Sequence, residues 1–301
     1  MPSSGFWLAT ILLACEFRIH PWKKFSWLFI HEEVSMFRSI FLKTLRDMRR
    51  SIFWWCVGML LTALYTIAAF PTVKGTFEDL SPYLENPLFK VFMRDFATLN
   101  TIEGYLSIEL FSFVLPVLSI IMAIVYFSGI IGREEERGNL ELLLSLPLSR
   151  WRIALEKVAA VLVAILAIHI VFWLGLWVGG LAMKVEADYL RIAPAILDDL
   201  LLSLVFGSLA FSITGFGLGP GVAGGISGGL ATASYLLEAI GIASEKFKPY
   251  RKFSLFYYYG GGRPIVEGIN WGHATLFLGL TIILIAVGVL VFQRRDIKLR
   301  G

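Results

Sequence analysis

Six long apolar runs separated by shorter polar stretches set the pattern of this chain: 52–70, 106–131, 158–183, 200–219, 222–243 and 273–292. A bilayer core of ~30 Å takes ~20 mostly apolar residues per helix, so each run predicts a membrane crossing. The fourth and fifth runs meet at Gly219, Pro220 and Gly221, which predicts a tight helical hairpin. Ahead of the first run, Phe37, Ile40, Phe41, Leu45, Met48 and Ile52 recur at three- and four-residue steps, while Arg38, Lys43, Arg46, Arg49 and Arg50 spread over the other faces. This spacing predicts an amphipathic interfacial helix over 36–51 that leads into the first crossing. Residues 1–35 follow no such pattern. Their apolar stretch, 6–15, is too short to cross, and no basic residue precedes it as in a signal peptide. We read 1–35 as a loosely ordered extension or a start assigned too early, with an interfacial helix anchored by Phe17, Trp22 and Trp27 as the alternative.

The expected architecture is therefore an all-α membrane protein. An interfacial helix (36–51) precedes a six-helix transmembrane domain (52–292) and a tail (293–301). The segment 71–105, with Pro71, Pro82 and Pro87, predicts short helices and turns. The segment 244–272 concentrates Phe247, Tyr250, Phe253, Phe256, Tyr257, Tyr258, Tyr259 and Trp271, rings that favour the headgroup zone, and predicts a re-entrant or interface-hugging element.

Composition sharpens this picture. The chain is 57% hydrophobic and 17% charged, against roughly 45–50% and 25% for an average globular domain, which argues against a soluble enzyme or a disordered chain. Cys15 and Cys56 lie far apart with no metal-ligand spacing, so neither a disulfide scaffold nor a metal site is expected. The net charge of +4 sits in clusters beside apolar runs, which points to lipid headgroups and not to nucleic acid. Lys and Arg number 14 around 36–51, 132–157 and the tail, against ten in the other loops. The positive-inside rule then places both termini in the cytoplasm of a multi-pass cell-membrane protein.

Ionisable residues inside apolar runs are expensive. Glu109 and Glu238 are expected near outer ends, Asp198 and Asp199 at the interface, and His169, deep in the third run, in a hydrogen bond to a neighbouring helix. Gly221/Gly225/Gly229, Gly224/Gly228 and Gly175/Gly179 fall at four-residue steps that let membrane helices approach closely. We expect packing within the subunit from them, with a dimer contact or pore groove as the sharper alternative.

The loop 130–150, IIGREEERGNLELLLSLPLSR, carries the most information. Glu134, Glu135 and Glu136 end a crossing, Gly138 breaks the helix and Asn139 can cap a new one. Leu140, Leu142, Leu143, Leu144 and Leu146 give that helix an apolar surface. Pro147 ends it, and Ser149 can cap the next. A short amphipathic helix held between two crossings can carry a push from a cytoplasmic partner into the bilayer. The acidic cluster with Arg150 and Arg152 offers that partner complementary contacts.

This string resembles the signature of ABC-2-type transporter permeases, Glu-x-x-Gly-Thr-Leu-Glu-x-Leu-Leu-x-x-Pro-x-Ser-Arg. It matches at Glu135, Gly138, Leu140, Glu141, Leu143, Leu144, Pro147, Ser149 and Arg150, and departs at Asn139, where the family has Thr. The segments 42–51 (LKTLRDMRRS) and 253–296 (FSLFYYYGGG through FQRRD) are similar to the beginning and end of such permeases. The resemblance implies a six-helix subunit of an ABC exporter that dimerises with a second copy or a paralogue. It also implies a cytoplasmic coupling helix between helices two and three, docked on a cytoplasmic ABC ATPase subunit through Glu134, Glu135, Gly138, Asn139, Leu140, Glu141, Leu143, Leu144, Pro147, Ser149 and Arg150. The chain has no G-x-x-x-x-G-K-[ST] loop, and its one G-x-G-x-x-G match, 219–224, lies at the helical hairpin. Energy is thus expected from a partner chain, with no cofactor, no catalytic residue and no metal in this one. A membrane protease with Glu-Glu-x-x-x-Arg is disfavoured because Arg137 directly follows Glu136. An ion-coupled transporter would predict inverted repeats, which the two halves do not display.

Overall fold

The computed structural model describes residues 21–84, 101–136, 149–185 and 187–295. These residues form helices joined by short turns with no strand among them, and six helices are long and apolar enough to cross a membrane. In chain order they are α1 (Pro21–Leu84), the short α2 (Ile102–Tyr105) running through a π-helix (Leu106–Val114) into α3 (Leu115–Glu136), α4 (Arg150–Met183), α5 (Tyr189–Gly215), α6 (Pro220–Ala243) and, after short helical pieces, α9 (Trp271–Arg294). Between α6 and α9 lie a 3₁₀ turn (Lys248–Phe253), α7 (Leu255–Tyr258) and α8 (Arg263–Glu267).

All six predicted crossings are present, and the departures are instructive. The interfacial segment 36–51 is continuous with the first crossing, and α1 runs on through Pro71, where a loop was expected. Proline removes one helical N–H, and that loss alone does not end α1 here. The fourth crossing starts at Tyr189, eleven residues ahead of the expected 200, because Asp198 and Asp199 are not interfacial: they are 3% and 0% exposed inside α5. Counting acidic residues as a boundary fails where residues distant in the chain supply hydrogen bonds to them.

α5 is the most buried crossing, packed between α3 and α9, while α1 packs chiefly on α4. Small residues set the closest approaches. A Cβ on Gly175 would come within 2.8 Å of Leu60, and one on Gly179 within 3.1 Å of Leu64, so this pair seats α4 on α1. Gly215 and Gly288 bring the α5 and α9 backbones together, and Ser212 donates across the same seam to the Leu284 carbonyl. The longer stripe on α6 behaves differently: Gly221, Gly225, Gly228 and Gly229 meet nothing within 4 Å of where a Cβ would sit. Packing within the subunit is therefore not its use.

The π-helix is where one proline does most to shape the fold. In π register the Phe111 carbonyl would be paired by the N–H of residue 116, but that residue is Pro116. The phenol of Tyr259 donates to Phe111 O at 2.9 Å instead. The aromatic segment 244–272 is thereby drawn into the end of the bundle, with Phe256 and Tyr259 buried and Gly262 pressed on Ser107. Burial pushes the Tyr259 phenol well above its usual 10, so it stays a donor.

Candidate functional site: the base of the loop between the second and third crossings

Of the residues predicted for partner contact, Gly138, Asn139, Leu140, Glu141, Leu143, Leu144 and Pro147 lie outside the described residues. Its two feet, Glu134 and Glu135 on one side and Ser149 and Arg150 on the other, are described, and they are tied together.

At the first foot, Glu134 Oε1 is 2.5 Å from Lys157 Nζ, and the same ammonium donates to the Ile130 carbonyl at 3.2 Å. Lys157 is 4% exposed, about two turns into α4, so this pair bolts the end of α3 to the first part of α4. Lys43 and Asp47 of α1 lie within electrostatic range of the same ammonium, which places the amphipathic stretch of α1 at this end of the bundle. At the second foot, Ser149 occupies the N-cap position with extended backbone. The N–H groups of Arg152 and Ile153 donate to its carbonyl at 3.0 and 3.2 Å. Its hydroxyl makes no capping bond, so the cap is a backbone one and not the side-chain cap expected from sequence.

Arg295 completes the base. Its guanidinium meets both oxygens of Glu135, one contact at 3.0 Å, and its carbonyl accepts from Arg150 Nη1 at 2.7 Å. The same guanidinium lies across Gly217, where a Cβ would come within 2.6 Å of Cζ. Gly217 has φ +90°, so the α5–α6 turn needs glycine for its backbone as well as for the space. Gly132 does the same service beside Pro220, 2.9 Å from its Cδ. One residue past the last crossing thus gathers the ends of α3, α4, α5 and α9 into one plate. Sequence reasoning counted Arg295 only toward orientation. Its one signal was an arginine pair directly after an apolar run, which fits interfacial anchoring equally well.

A second polar cluster lies inside the bundle. His169 Nδ1–H donates to the Ile165 carbonyl at 2.8 Å, the only sense that bond allows. Nε2 then faces Asp199 Oδ2 at 3.3 Å and Ser119 Oγ at 3.3 Å, while Ser119 donates to the same Oδ2 at 2.6 Å. His169 makes the interhelical bond expected of it. Ser, His and Asp meet here, but the carboxylate sits on Nε2, beside the hydroxyl, and not on the far nitrogen where it would orient a base. Asp198, beside it, accepts from Gly260 N–H at 2.7 Å. Glu238 is ion-paired to Arg251 at 2.5 and 3.1 Å and Glu109 is exposed, both near the opposite end from Arg295. The hydrogen bonds that the Arg251 guanidinium donates to Glu238 hold it above its usual pKa.

A search of curated proteins finds no match. The family described as multidrug efflux system permease Rv1217c, C-terminal domain, matches residues 41–293, which takes in all six crossings and both feet of the loop. With that coverage the chain belongs to this efflux permease family, and it is a multi-pass membrane transporter subunit.

Proposed function

We propose that this chain is the membrane subunit of an ABC exporter of the ABC-2 type, in which a separate cytoplasmic ATPase drives transport through the loop 138–149. The observation that carries this reading is the plate beneath the loop. Glu134–Lys157 and Glu135–Arg295–Arg150 tie both feet to three crossings, so a load applied to the loop is delivered to the bundle as a whole. A loop with loose feet would absorb the same load in its own backbone. The nine matches to the ABC-2 signature between Glu135 and Arg150 support the identity of what applies it. The Arg295 end then faces the cytoplasm, with both termini, in the cell membrane. The open glycine stripe of α6 supports dimerisation through that helix, with a second copy or a paralogue.

The test is affinity purification of the full chain followed by identification of what accompanies it. A polypeptide with a G-x-x-x-x-G-K-[ST] loop is expected in stoichiometric amount. Glu141→Arg, or replacement of Pro147, is expected to leave the complex able to hydrolyse ATP while transport stops. Purified chain that transports alone on an ion gradient would overturn the proposal.

A further inference from the structure

At the end of the bundle away from Arg295, α4, the α4–α5 connection and α2 line an open cleft of about 770 Å³. Trp173 and Trp177, one turn apart on α4, stack at 6.2 Å with 25° between their planes and form one wall. Tyr189, Asp188 and Glu103 complete it, with Ala187 and Leu190 between them, and no Lys or Arg lines it among the described residues. We propose that this cleft binds an organic cation with an apolar body, the class of cargo this permease handles.

The size fits. Ligand cavities run roughly 300–1,000 Å³. The chemistry fits better. An indole face attracts a cation through its quadrupole, and Trp does so more strongly than Phe or Tyr. Two carboxylates give the cleft negative charge, while its aromatic wall rejects small hydrated ions that cannot shed their water. Of the donors among the lining side chains, the Trp173 indole N–H is already given to the Tyr189 carbonyl at 2.9 Å and the Tyr189 phenol to the Val185 carbonyl at 3.1 Å, which leaves an anion the Trp177 indole N–H and no positive charge among the described lining residues.

The wall is held in place before any ligand arrives. The bond to Tyr189 O fixes the Trp173 ring, and the Tyr189 phenol donates to Val185 O at 3.1 Å. The phenol occupies the space over Gly180, where any Cβ would collide with it. Asp188 caps α5 through Leu190 N–H at 3.2 Å, and its other oxygen meets Arg191 at 3.1 Å. That ion pair is exposed on both sides, the kind that contributes little and yields readily.

The experiment is calorimetric titration of the purified full chain in detergent with tetraphenylphosphonium, against tetraphenylborate, which has the same shape and the opposite charge. Saturable binding of the cation alone is expected. Glu103→Gln, Asp188→Asn and Trp177→Leu are each expected to weaken it by roughly 3- to 30-fold, the range of one charge or cation–π contact, and Trp177→Phe to restore part of the loss. Asn remains a competent helix cap, so Asp188→Asn keeps the fold. Equal binding of both ions, or cation binding unchanged in all three variants, would overturn the proposal. So would complete displacement by short-chain phosphatidylethanolamine with none by short-chain phosphatidylglycerol, since the occupant would then be a lipid headgroup. The role as cargo rests on the export reading, but binding is read on the isolated chain without ATP, so either can fail alone.

Discussion

Removing the charge of Glu134 while keeping its shape, with Glu134→Gln, tests the plate at its most buried point. Lys157 is 4% exposed, and its ammonium has two partners among the described residues, Glu134 Oε1 at 2.5 Å and Ile130 O at 3.2 Å. Stripping one partner from a fully buried ion pair costs ~3–5 kcal/mol, chiefly from the stranded charge. Glu134 is 23% exposed, so water screens part of the loss, and we expect less than a fully buried pair shows, ~2–3 kcal/mol. For a chain of this size that lowers the unfolding midpoint by roughly 4–10 °C. The assay is tryptophan fluorescence against temperature in detergent at a fixed scan rate. The companion double variant, Glu134→Gln with Lys157→Met, separates stranded charge from lost attraction: removing the charge should recover most of the midpoint. A Glu134→Gln midpoint within about a degree of the parent, or a double variant no better than the single, would refute the assignment of a buried, dependent cation at this foot.

Other outcomes follow from the same geometry. Gly217→Ala puts a side chain at φ +90° and within 2.6 Å of Arg295 Cζ; the strain of ~1–2 kcal/mol should appear as a lowered unfolding midpoint, and Arg295→Ala should lessen that loss. Tyr259→Phe leaves the Phe111 carbonyl without its donor beside Pro116, a loss of ~1–2 kcal/mol by thermal unfolding. The pH dependence of the same residue has a defined sign. Folding raises the phenol above 10, so its contribution is complete below pH ~10 and declines as pH rises beyond it, a decline that Tyr259→Phe should lack. Asp199→Leu strands His169 Nε2 and Ser119 in the core; it should destabilise by ~1–3 kcal/mol, and Asp199→Asn, which still accepts the Ser119 bond, by less.

How much of this was legible in the sequence follows from the physics of each signal. Apolar runs are long-range and redundant, so all six crossings could be read, and the hairpin at Gly219–Pro220–Gly221 was fixed by turn chemistry alone. The start of α5 was misplaced because hydropathy counts every carboxylate the same, whereas Asp198 and the Oδ2 of Asp199 are hydrogen-bonded by Gly260, Ser119 and His169 from elements far away in the chain. The π-helix and its repair by Tyr259 join positions 148 residues apart, beyond any local pattern. The loop's leucines and proline, 140–147, could be singled out because their pattern is local in the sequence. Its footing could not, because Arg295 acts through Glu135, Arg150 and Gly217, three contacts that only folding assembles. The glycine stripes show the same limit: identical spacing seats α4 on α1 at Gly175 and Gly179, yet leaves α6 open.

On the proposed function, the loop between the second and third crossings receives force from a nucleotide-hydrolysing partner. A photo-activated cross-linker carried at position 143, in the leucine-rich middle of that loop, addresses it directly in intact cells. The account predicts one dominant adduct, to a polypeptide with a P-loop, whose yield changes between ATP-bound and ATP-depleted membranes. Adducts only to lipid, or labelling of the same position by a membrane-impermeant reagent added outside the cell, would contradict it.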